Sequence, residues 1–169
     1  MIESWKEFLL AQGAAIENGS VRHFGNPAAE RAAAATGTIV ADLSQLGVLA
    51  FRGEETTGFL QGQLTNDVQA LHADSAQWSG YCSPKGRLLG NFLMWRDGED
   101  YCLQLSGDIA APVLKRLSMF VLRSKTRGRD ASDETVRLVV AGSAATDAVQ
   151  RAMGVRPEAP LRTAKGDAG

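Results

Sequence analysis

Three strand-like segments joined by tight turns constrain the fold of this chain more than any other feature. The segments cover residues 78–83, 87–96 and 101–105. Between the first two, Pro84 presets φ and Gly86 adopts conformations that other residues avoid, which favours a turn. Between the last two, Asp97-Gly98 is a tight hairpin signal. The pattern therefore predicts an antiparallel meander of three strands.

A strongly amphipathic helix follows the predicted meander. Its apolar residues are spaced so that they form a single stripe along the helix. They are Ile109, Val113, Leu117, Phe120 and Val121. Further strands are expected at 47–51 and 136–141, with a short helix between the first of these and the meander. The resulting order of strand, helix, three strands, helix and strand indicates an α+β fold, with a mostly antiparallel sheet backed by helices in the ferredoxin-like style.

The sequence divides into three predicted regions. Residues 1–45 carry short helical and strand-like segments, including an alanine-rich helix at 28–35 that Asn26 caps. Residues 46–153 hold the strand and helix pattern described above. Residues 154–169 are rich in glycine, proline, alanine and charge, which is typical of a flexible tail. We expect an N-terminal lobe, a main domain and a tail with these boundaries.

The net charge of the chain is close to zero. Eighteen lysines and arginines against 19 acidic residues give a net charge of −1, so no global field draws the chain to nucleic acid or to a membrane. The N-terminus has no basic region followed by an apolar run, and no stretch approaches the ~18 apolar residues of a membrane span. We expect a cytoplasmic protein without direct nucleic-acid or membrane binding.

A basic run at residues 123–129 holds four cations in seven residues. It follows the amphipathic helix, where cations offset the negative end of the helix dipole. Asp130, Asp133 and Glu134 come next and largely neutralise it. We interpret the run as solvated surface, with contact to an anion or RNA as the alternative.

Cysteine and histidine are too few for most metal or redox sites. Cys82 and Cys102 each lie inside a predicted strand, where a thiol usually acts as a small, reduced hydrophobe. Two thiols cannot supply the four that an iron–sulfur cluster normally needs, and His23 and His72 stand alone. The chain has neither glycine-rich nucleotide motif and no evident Ser/His/Asp set. No metal-binding residue and no catalytic residue is predicted.

Two polar stretches offer the groups that a ligand needs. After the apolar residues of the short helix, residues 61–67 crowd amide, hydroxyl and carboxylate groups together. The first interpretation is a helix end and turn, because Thr, Asn and Asp bond readily to nearby backbone. In the first turn of the meander, Lys85 and Arg87 flank Gly86 and can present two cations to a carboxylate or phosphate. On the pattern alone, a plain hairpin is the first interpretation there, and a turn that contacts a ligand is the alternative.

Three sequence segments, in this order, carry a family resemblance. They are FLQGQLTNDV at residues 59–68, YCSPKGRLLGNFLMW at 81–95, and LVVAG at 138–142. Over roughly residues 40–142 the chain resembles the N-terminal part of the YgfZ/GcvT family. This family includes the folate-binding T-protein of the glycine cleavage system, and YgfZ-type proteins that support iron–sulfur enzymes and tRNA modification. The Lys85-Gly86-Arg87 turn makes the YgfZ-type members the more similar.

The resemblance implies a GcvT-like N-terminal folate-binding domain. Members of the family bind tetrahydrofolate in a central cavity lined by this sheet and by later parts of the chain. A pterin needs an aromatic or apolar slot and amide hydrogen bonds, and the glutamate tail of a folate needs cations. The residues implied for pterin contact are Gln63, Thr65, Asn66, Tyr81, Asn91 and Trp95, and those implied for the tail are Lys85 and Arg87. Iron–sulfur proteins are the implied clients.

Two departures from the family pattern bear on activity. In T-protein-like members the strand after the turn carries an acid pair tied to the chemistry at the folate nitrogen, whereas Gly90-Asn91 stands here. An asparagine amide transfers no proton at neutral pH, which argues against aminomethyl transfer. YgfZ-type proteins also carry a K-G-C-Y-x-G-Q-E motif in their C-terminal half, and these 169 residues have none, so we expect a fragment. The alternatives are an aminomethyltransferase-like one-carbon transferase and a ligand-free interaction domain.

Overall fold

The computed structural model describes residues 1–166, and these form nine strands and five α-helices. The strands are β1 (Ala15–Glu17), β2 (Ser20–His23), β3 (Ile39–Asp42), β4 (Leu46–Arg52), β5 (Ala76–Cys82), β6 (Leu88–Asp97), β7 (Asp100–Ser106), β8 (Arg127–Asp130) and β9 (Leu138–Ala141). The helices are α1 (Glu3–Ala11), α2 (Pro27–Thr36), α3 (Thr56–Gln61), α4 (Gly107–Val121) and α5 (Ala145–Met153), and a 3-10 turn covers Val68–Ala70.

The chain divides into two compact units, which we describe separately. Unit 1 comprises Met1–Gln45, Asp133–Pro157 and residues 164–166 of the described chain. Unit 2 comprises Leu46–Ser132 and Glu158–Thr163. Of the predicted tail at 154–169, residues 167–169 lie outside the described part of the chain.

Unit 1 contains two small antiparallel sheets, one of β1 with β2 and one of β3 with β9. The predicted alanine-rich helix is α2, and Asn26 Oδ1 accepts a hydrogen bond from the Ala29 N–H at 3.1 Å. This is the bond that an N-cap side chain makes. The indole N–H of Trp5 donates to Asp42 Oδ1 at 2.8 Å. The first bond fixes the start of α2, and the second ties α1 to β3.

Unit 2 is built on one five-stranded sheet with the strand order β5-β6-β7-β4-β8. All of its neighbouring strands are antiparallel. The predicted meander is β5, β6 and β7, and the two predicted helices of this region are α3 and α4. The expected α+β class, with a mostly antiparallel sheet backed by helices, is confirmed.

The last strand of the large sheet is not the one that the sequence suggests. The strand expected at 136–141 forms as β9, but it pairs with β3 in unit 1. The strand after α4 that joins the large sheet is β8, which the basic run at 123–129 concealed. β8 contains arginine and glycine where strands usually carry β-branched or aromatic residues. Gly128 is needed there, because a Cβ would lie 2.5 Å from Cε1 of Phe51.

The apolar core of unit 2 lies between one side of the sheet and its helices. We term this side the helix-covered face. The core residues with almost no exposed surface come from both the sheet and the helices. They are Leu49, Phe51, Leu60, Phe92, Met94, Leu103 and Leu117. Burying each such side chain is worth about 1.5–3 kcal/mol before the entropic cost of ordering it. Phe120 was expected in the buried stripe of α4 and is instead 46% exposed in the last turn of that helix.

Candidate functional site

The other side of the unit 2 sheet carries aromatic and polar side chains. Because side chains alternate along a strand, and directly paired residues point to the same side, the register assigns each residue to a face. We term this side the second face. Its cross-strand pairs on β5 and β6 are Ala76–Trp95, Trp78–Leu93 and Gly80–Asn91.

Two of the implied ligand contacts, Asn91 and Trp95, share the second face. They lie on β6 four residues apart, so their Cα atoms are separated by about 13 Å along the strand. Asn91 is exposed, and Trp95 is half-buried against a small apolar cluster that includes Cys102. Trp78 lies on the neighbouring strand with 58% of its surface exposed. The second face therefore offers an amide and two indole rings to a ligand.

Thr65 and Asn66, two more of the residues implied for pterin contact, hydrogen-bond the loop after α3 to strand β5. The Gly80 N–H donates to Thr65 Oγ1 at 2.9 Å, and the Thr65 N–H donates to the Gly80 carbonyl at 3.0 Å. Asn66 Nδ2 donates to the Trp78 carbonyl at 2.8 Å. A Cβ on Gly80 would lie 2.9 Å from Leu88 Cδ1 and 3.2 Å from Thr65 Oγ1, so glycine permits this close approach. The side chains of Thr65 and Asn66 thus bind backbone, as in a helix end and turn.

Gln61 has a role in this loop that the sequence analysis missed. Its Oε1 accepts hydrogen bonds from the Val68 N–H at 2.7 Å and from the Gln69 N–H at 3.2 Å. These bonds close the loop back onto the end of α3. Gln63, which the resemblance implies as a contact, is half-buried and makes no side-chain hydrogen bond within residues 1–166. Two glutamines two positions apart give no sequence signal that separates these roles.

Tyr81 lies on the helix-covered face. It pairs with Gly90, where a Cβ would lie 3.4 Å from Cδ1 of Ile109 on α4, and it is itself only 3% exposed. Its ring lines a groove of about 380 Å³ beside that helix. The structure therefore separates Tyr81 from Asn91 and Trp95, although one sequence segment contains all three.

Lys85 and Arg87 lie exposed in the turn between β5 and β6. The Ser83 N–H donates to the Arg87 carbonyl at 2.8 Å, and the Arg87 N–H donates to Ser83 Oγ at 3.1 Å. Gly86 has a φ of 73°, which suits glycine at this turn position. Within residues 1–166 neither cationic side chain has an ion-pair partner, so both are accessible to an anion and neither is held in place.

Asp100 is a buried carboxylate that the sequence analysis did not single out. It is 6% exposed, and it accepts hydrogen bonds from Arg52 Nε at 2.6 Å and from Arg129 Nη2 at 2.7 Å. The hydrogen bond from Arg129, together with that from Arg52, holds the pKa of Asp100 below its ordinary value, against the opposing effect of burial. The same carboxylate raises the pKa of the Arg52 guanidinium through its hydrogen bond and its charge.

Across 1–166, every helix is too short or too polar to cross a bilayer. In the same range, no three His, Cys, Asp or Glu side chains are grouped so that they can hold a metal ion. Neither Cys82 nor Cys102 forms a disulfide, and Cys102 is buried.

The family model described as the GCVT N-terminal domain matches residues 16–161. The chain belongs to the GCVT N-terminal domain family. The resemblance drawn from the sequence is confirmed, and this GCVT N-terminal domain has a GcvT-like fold.

Two kinds of relative are similar to this GCVT N-terminal domain. The tRNA-modifying protein YgfZ of Vibrio vulnificus (strain YJ016) is 33% identical over 81 residues, which cover 46% of this chain and 25% of the relative. The aminomethyltransferase of Geobacillus kaustophilus (strain HTA426) is 32% identical over 111 residues, which cover 65% of this chain and 30% of the relative. Identity therefore does not separate the two kinds.

A solved structure gives the same fold. The crystal structure of glycine cleavage system aminomethyltransferase T from Bartonella henselae superposes with a TM-score of 0.74 over 90% of this chain and 43% of that one, at 19% identity. The match to the curated relatives covers a quarter to a third of their length. The chain thus corresponds to part of each protein that it resembles.

Proposed function

We propose that this chain is the folate-binding part of a YgfZ-type accessory protein, which binds tetrahydrofolate in a cavity that later parts of such proteins complete. The observation that carries the proposal is the second face of the unit 2 sheet, where Asn91 and Trp95 lie on one strand with the exposed Trp78 beside them. The surface lies within the predicted main domain at 46–153, and the proposed setting is the cytoplasm.

The chemistry of the second face fits a pterin. A pterin is flat and aromatic, with hydrogen-bonding groups along its edge, and indole rings and amides bind such groups well. Trp78 and Trp95 supply the rings, and Asn91 supplies a free amide. Thr65 and Asn66 act through the backbone of the loop that they tie to β5.

Asn91 supports a role in binding tetrahydrofolate without transferring a group to it. An amide can donate and accept hydrogen bonds but exchanges no proton with a folate nitrogen near neutral pH. The proposed role is therefore to hold tetrahydrofolate in support of iron–sulfur enzymes, and through them of tRNA modification, with iron–sulfur proteins as clients. The similarity to proteins named tRNA-modifying protein YgfZ supports this choice.

Titration with tetrahydrofolate, followed by calorimetry under anaerobic conditions, tests the proposal. We expect saturable binding that Trp95→Ala and Asn91→Ala each weaken about tenfold, the loss typical of a central contact. Phe120→Ala is the matched control, because it removes an exposed aromatic ring from α4, away from the second face. No saturable binding, or equal losses in all three variants, contradicts the proposal and favours a ligand-free interaction domain.

An aminomethyltransferase is the second candidate. Relatives with that name match 111–123 residues of this chain at 28–32% identity, and the superposed crystal structure carries it too. The candidate predicts turnover of an aminomethyl donor in the presence of tetrahydrofolate, measured as methylene-tetrahydrofolate formed. Turnover by the unaltered chain would favour it over the accessory role, whereas binding without turnover would favour the accessory role.

A further inference from the structure

Three arginines enclose a pocket at one end of the unit 2 sheet. Arg52 is the last residue of β4, and Arg127 and Arg129 lie on the neighbouring strand β8. Together they line a pocket of about 320 Å³. Arg52 and Arg127 are direct cross-strand partners. Like charges placed directly opposite each other destabilise a strand pair, so an anion bound between Arg52 and Arg127 would relieve their repulsion.

The described acidic side chains nearby contact two of these cations and leave the third without a partner. Asp100 accepts hydrogen bonds from Arg52 and Arg129, and the exposed Glu99 lies 3.7 Å from Arg52. Within residues 1–166, the side chain of Arg127 has neither an ion-pair nor a hydrogen-bond partner. Arg127 therefore brings to the pocket a positive charge that no described acidic side chain offsets, whereas the buried Asp100 carboxylate is bonded to Arg52 and Arg129.

Asp100 also orders the pocket. Its two carboxylate oxygens bond different arginines, one to Arg52 and the other to Arg129. Two guanidinium groups are thus fixed before any ligand arrives, which lowers the entropic cost of binding an anion. Guanidinium groups match phosphate and carboxylate oxygens in paired hydrogen bonds. Among the described residues, by contrast, no partner orders the side chains of Lys85 and Arg87.

The pocket lies on the second face. One cross-strand row runs from Trp95 through Cys102 and Ala50 to Arg129. Three strand spacings separate the ends of the row, a distance of about 14 Å. A ligand that contacts Trp95 and extends across the sheet can therefore reach the arginines.

We propose that Arg52, Arg127 and Arg129 bind a multiply charged oxyanion, the phosphate or carboxylate end of a small organic ligand. The pocket volume suits a group larger than a single small ion. Phosphate and carboxylate share the same recognition chemistry. Where the oxyanion is the glutamate chain of a folate, the inference rests on the proposed function and replaces the assignment of the tail to Lys85 and Arg87.

Calorimetric titration of this chain with inorganic pyrophosphate and with γ-linked triglutamate tests the site. Neither probe has a pterin, so failure of tetrahydrofolate binding leaves this experiment unaffected. We expect one-site binding of at least one probe, weakened by added NaCl because the contacts are ionic. Tighter binding of pyrophosphate identifies a phosphate ligand, and tighter binding of triglutamate identifies a carboxylate chain.

Arg127→Gln is the decisive variant, and Arg31→Gln on α2 of unit 1 is its matched control. Both remove one exposed positive charge, and neither side chain has a partner among the described residues, so both variants should fold. We expect Arg127→Gln to weaken binding about tenfold or more, as for one lost charge-assisted hydrogen bond, and Arg31→Gln to leave it unchanged. Equal affinities of the two variants, or no saturable binding of either probe, would overturn the proposal.

Discussion

The two faces of the unit 2 sheet use the same strands for different purposes. On β6, Phe92 and Met94 point to the helix-covered face and are 0% exposed. Asn91 and Trp95, on the same strand, point to the second face and keep part of their surface accessible. Leu88, at the start of this strand, is 61% exposed, and a register shift beside it places its Cδ1 2.9 Å from where a Cβ of Gly80 would lie on the second face. One strand thus carries both the core and the candidate site, and the alternation of its side chains keeps them apart.

This difference shows where stability and binding reside. A face packed on helices gains free energy from burial, whereas a face with exposed rings and amides gains little and can accept a ligand. Substitutions on the first face should therefore change the free energy of unfolding. Substitutions at the exposed positions of the second face should change binding with little effect on folding.

The largest effect is expected from Phe92→Ala on the helix-covered face. Removal of a fully buried ring leaves a cavity, and we expect a loss of about 4 kcal/mol in the free energy of unfolding, measured by urea denaturation. The neighbouring Asn91→Ala is the control, with an expected change within about 0.5 kcal/mol. Similar losses in both variants would contradict the assignment of the two faces.

Asp100→Asn should have the next largest effect. The amide loses two charge-assisted bonds to Arg52 and Arg129, but both arginines are partly exposed and regain hydration. We therefore expect a loss of about 2 kcal/mol at neutral pH in the same assay.

The stabilisation by Asp100 should depend on pH. Because the pKa of Asp100 is lowered in the folded state, the contribution of its charge to the free energy of unfolding is complete above its unfolded pKa, about 3.9, and disappears as the pH falls through its folded pKa. The difference between the wild type and the variant should shrink over that interval. A constant difference down to acid pH would show that the charge of Asp100 does not cause it.

Thr65→Val should have a smaller effect. The change keeps the shape of the side chain but removes the acceptor of the Gly80 N–H, which is buried. We expect a loss of about 1 kcal/mol, measured by urea denaturation. Thr36→Val is the control, because the Thr36 hydroxyl donates to the Ala32 carbonyl on an exposed helix and should matter little. Equal changes in the two variants would mean that the loop is not held to β5 by this bond.

Leu88→Ser should have the smallest effect. Since 61% of Leu88 is already exposed, we expect a change of about 0.5 kcal/mol or less in the free energy of unfolding. Leu103→Ser, on the helix-covered face, is the matched comparison and should be far more destabilising. A large loss from the Leu88 change would mean that the second face also contributes to the core.

The spacing of apolar residues and the turn residues predicted those helices and strands whose buried side chains follow a regular pattern. The stripe of α4 and the turns at Pro84 and Asp97-Gly98 give local signals, and α4, β5, β6 and β7 follow them. β8 gave no such signal, because its arginines point to the second face and its inward position is Gly128, which packs on Phe51. The pairing of β8 with β4 depends on residues about 75 positions away, which local patterns do not encode.

The same limit applies to the candidate site. The sequence brought Asn91, Trp95 and Tyr81 together because they share one segment, but a register is needed to show that Tyr81 points to the opposite side. Asp100 looked like one acidic residue near a hairpin, and its arginine partners lie 48 and 29 positions away. Sites assembled from several strands become visible only after the strands are paired.

The borders of the large sheet carry a consequence for solubility. At one border, β8 is four residues long and three of them are charged, which discourages strand addition by another molecule. At the other border, the Ala76 N–H donates to the Leu161 carbonyl at 2.8 Å, and Leu64 forms an isolated bridge with Tyr81. Both edge strands are thereby protected against β-pairing with another molecule. The exposed rings of the second face therefore lie on a sheet whose edges do not favour aggregation.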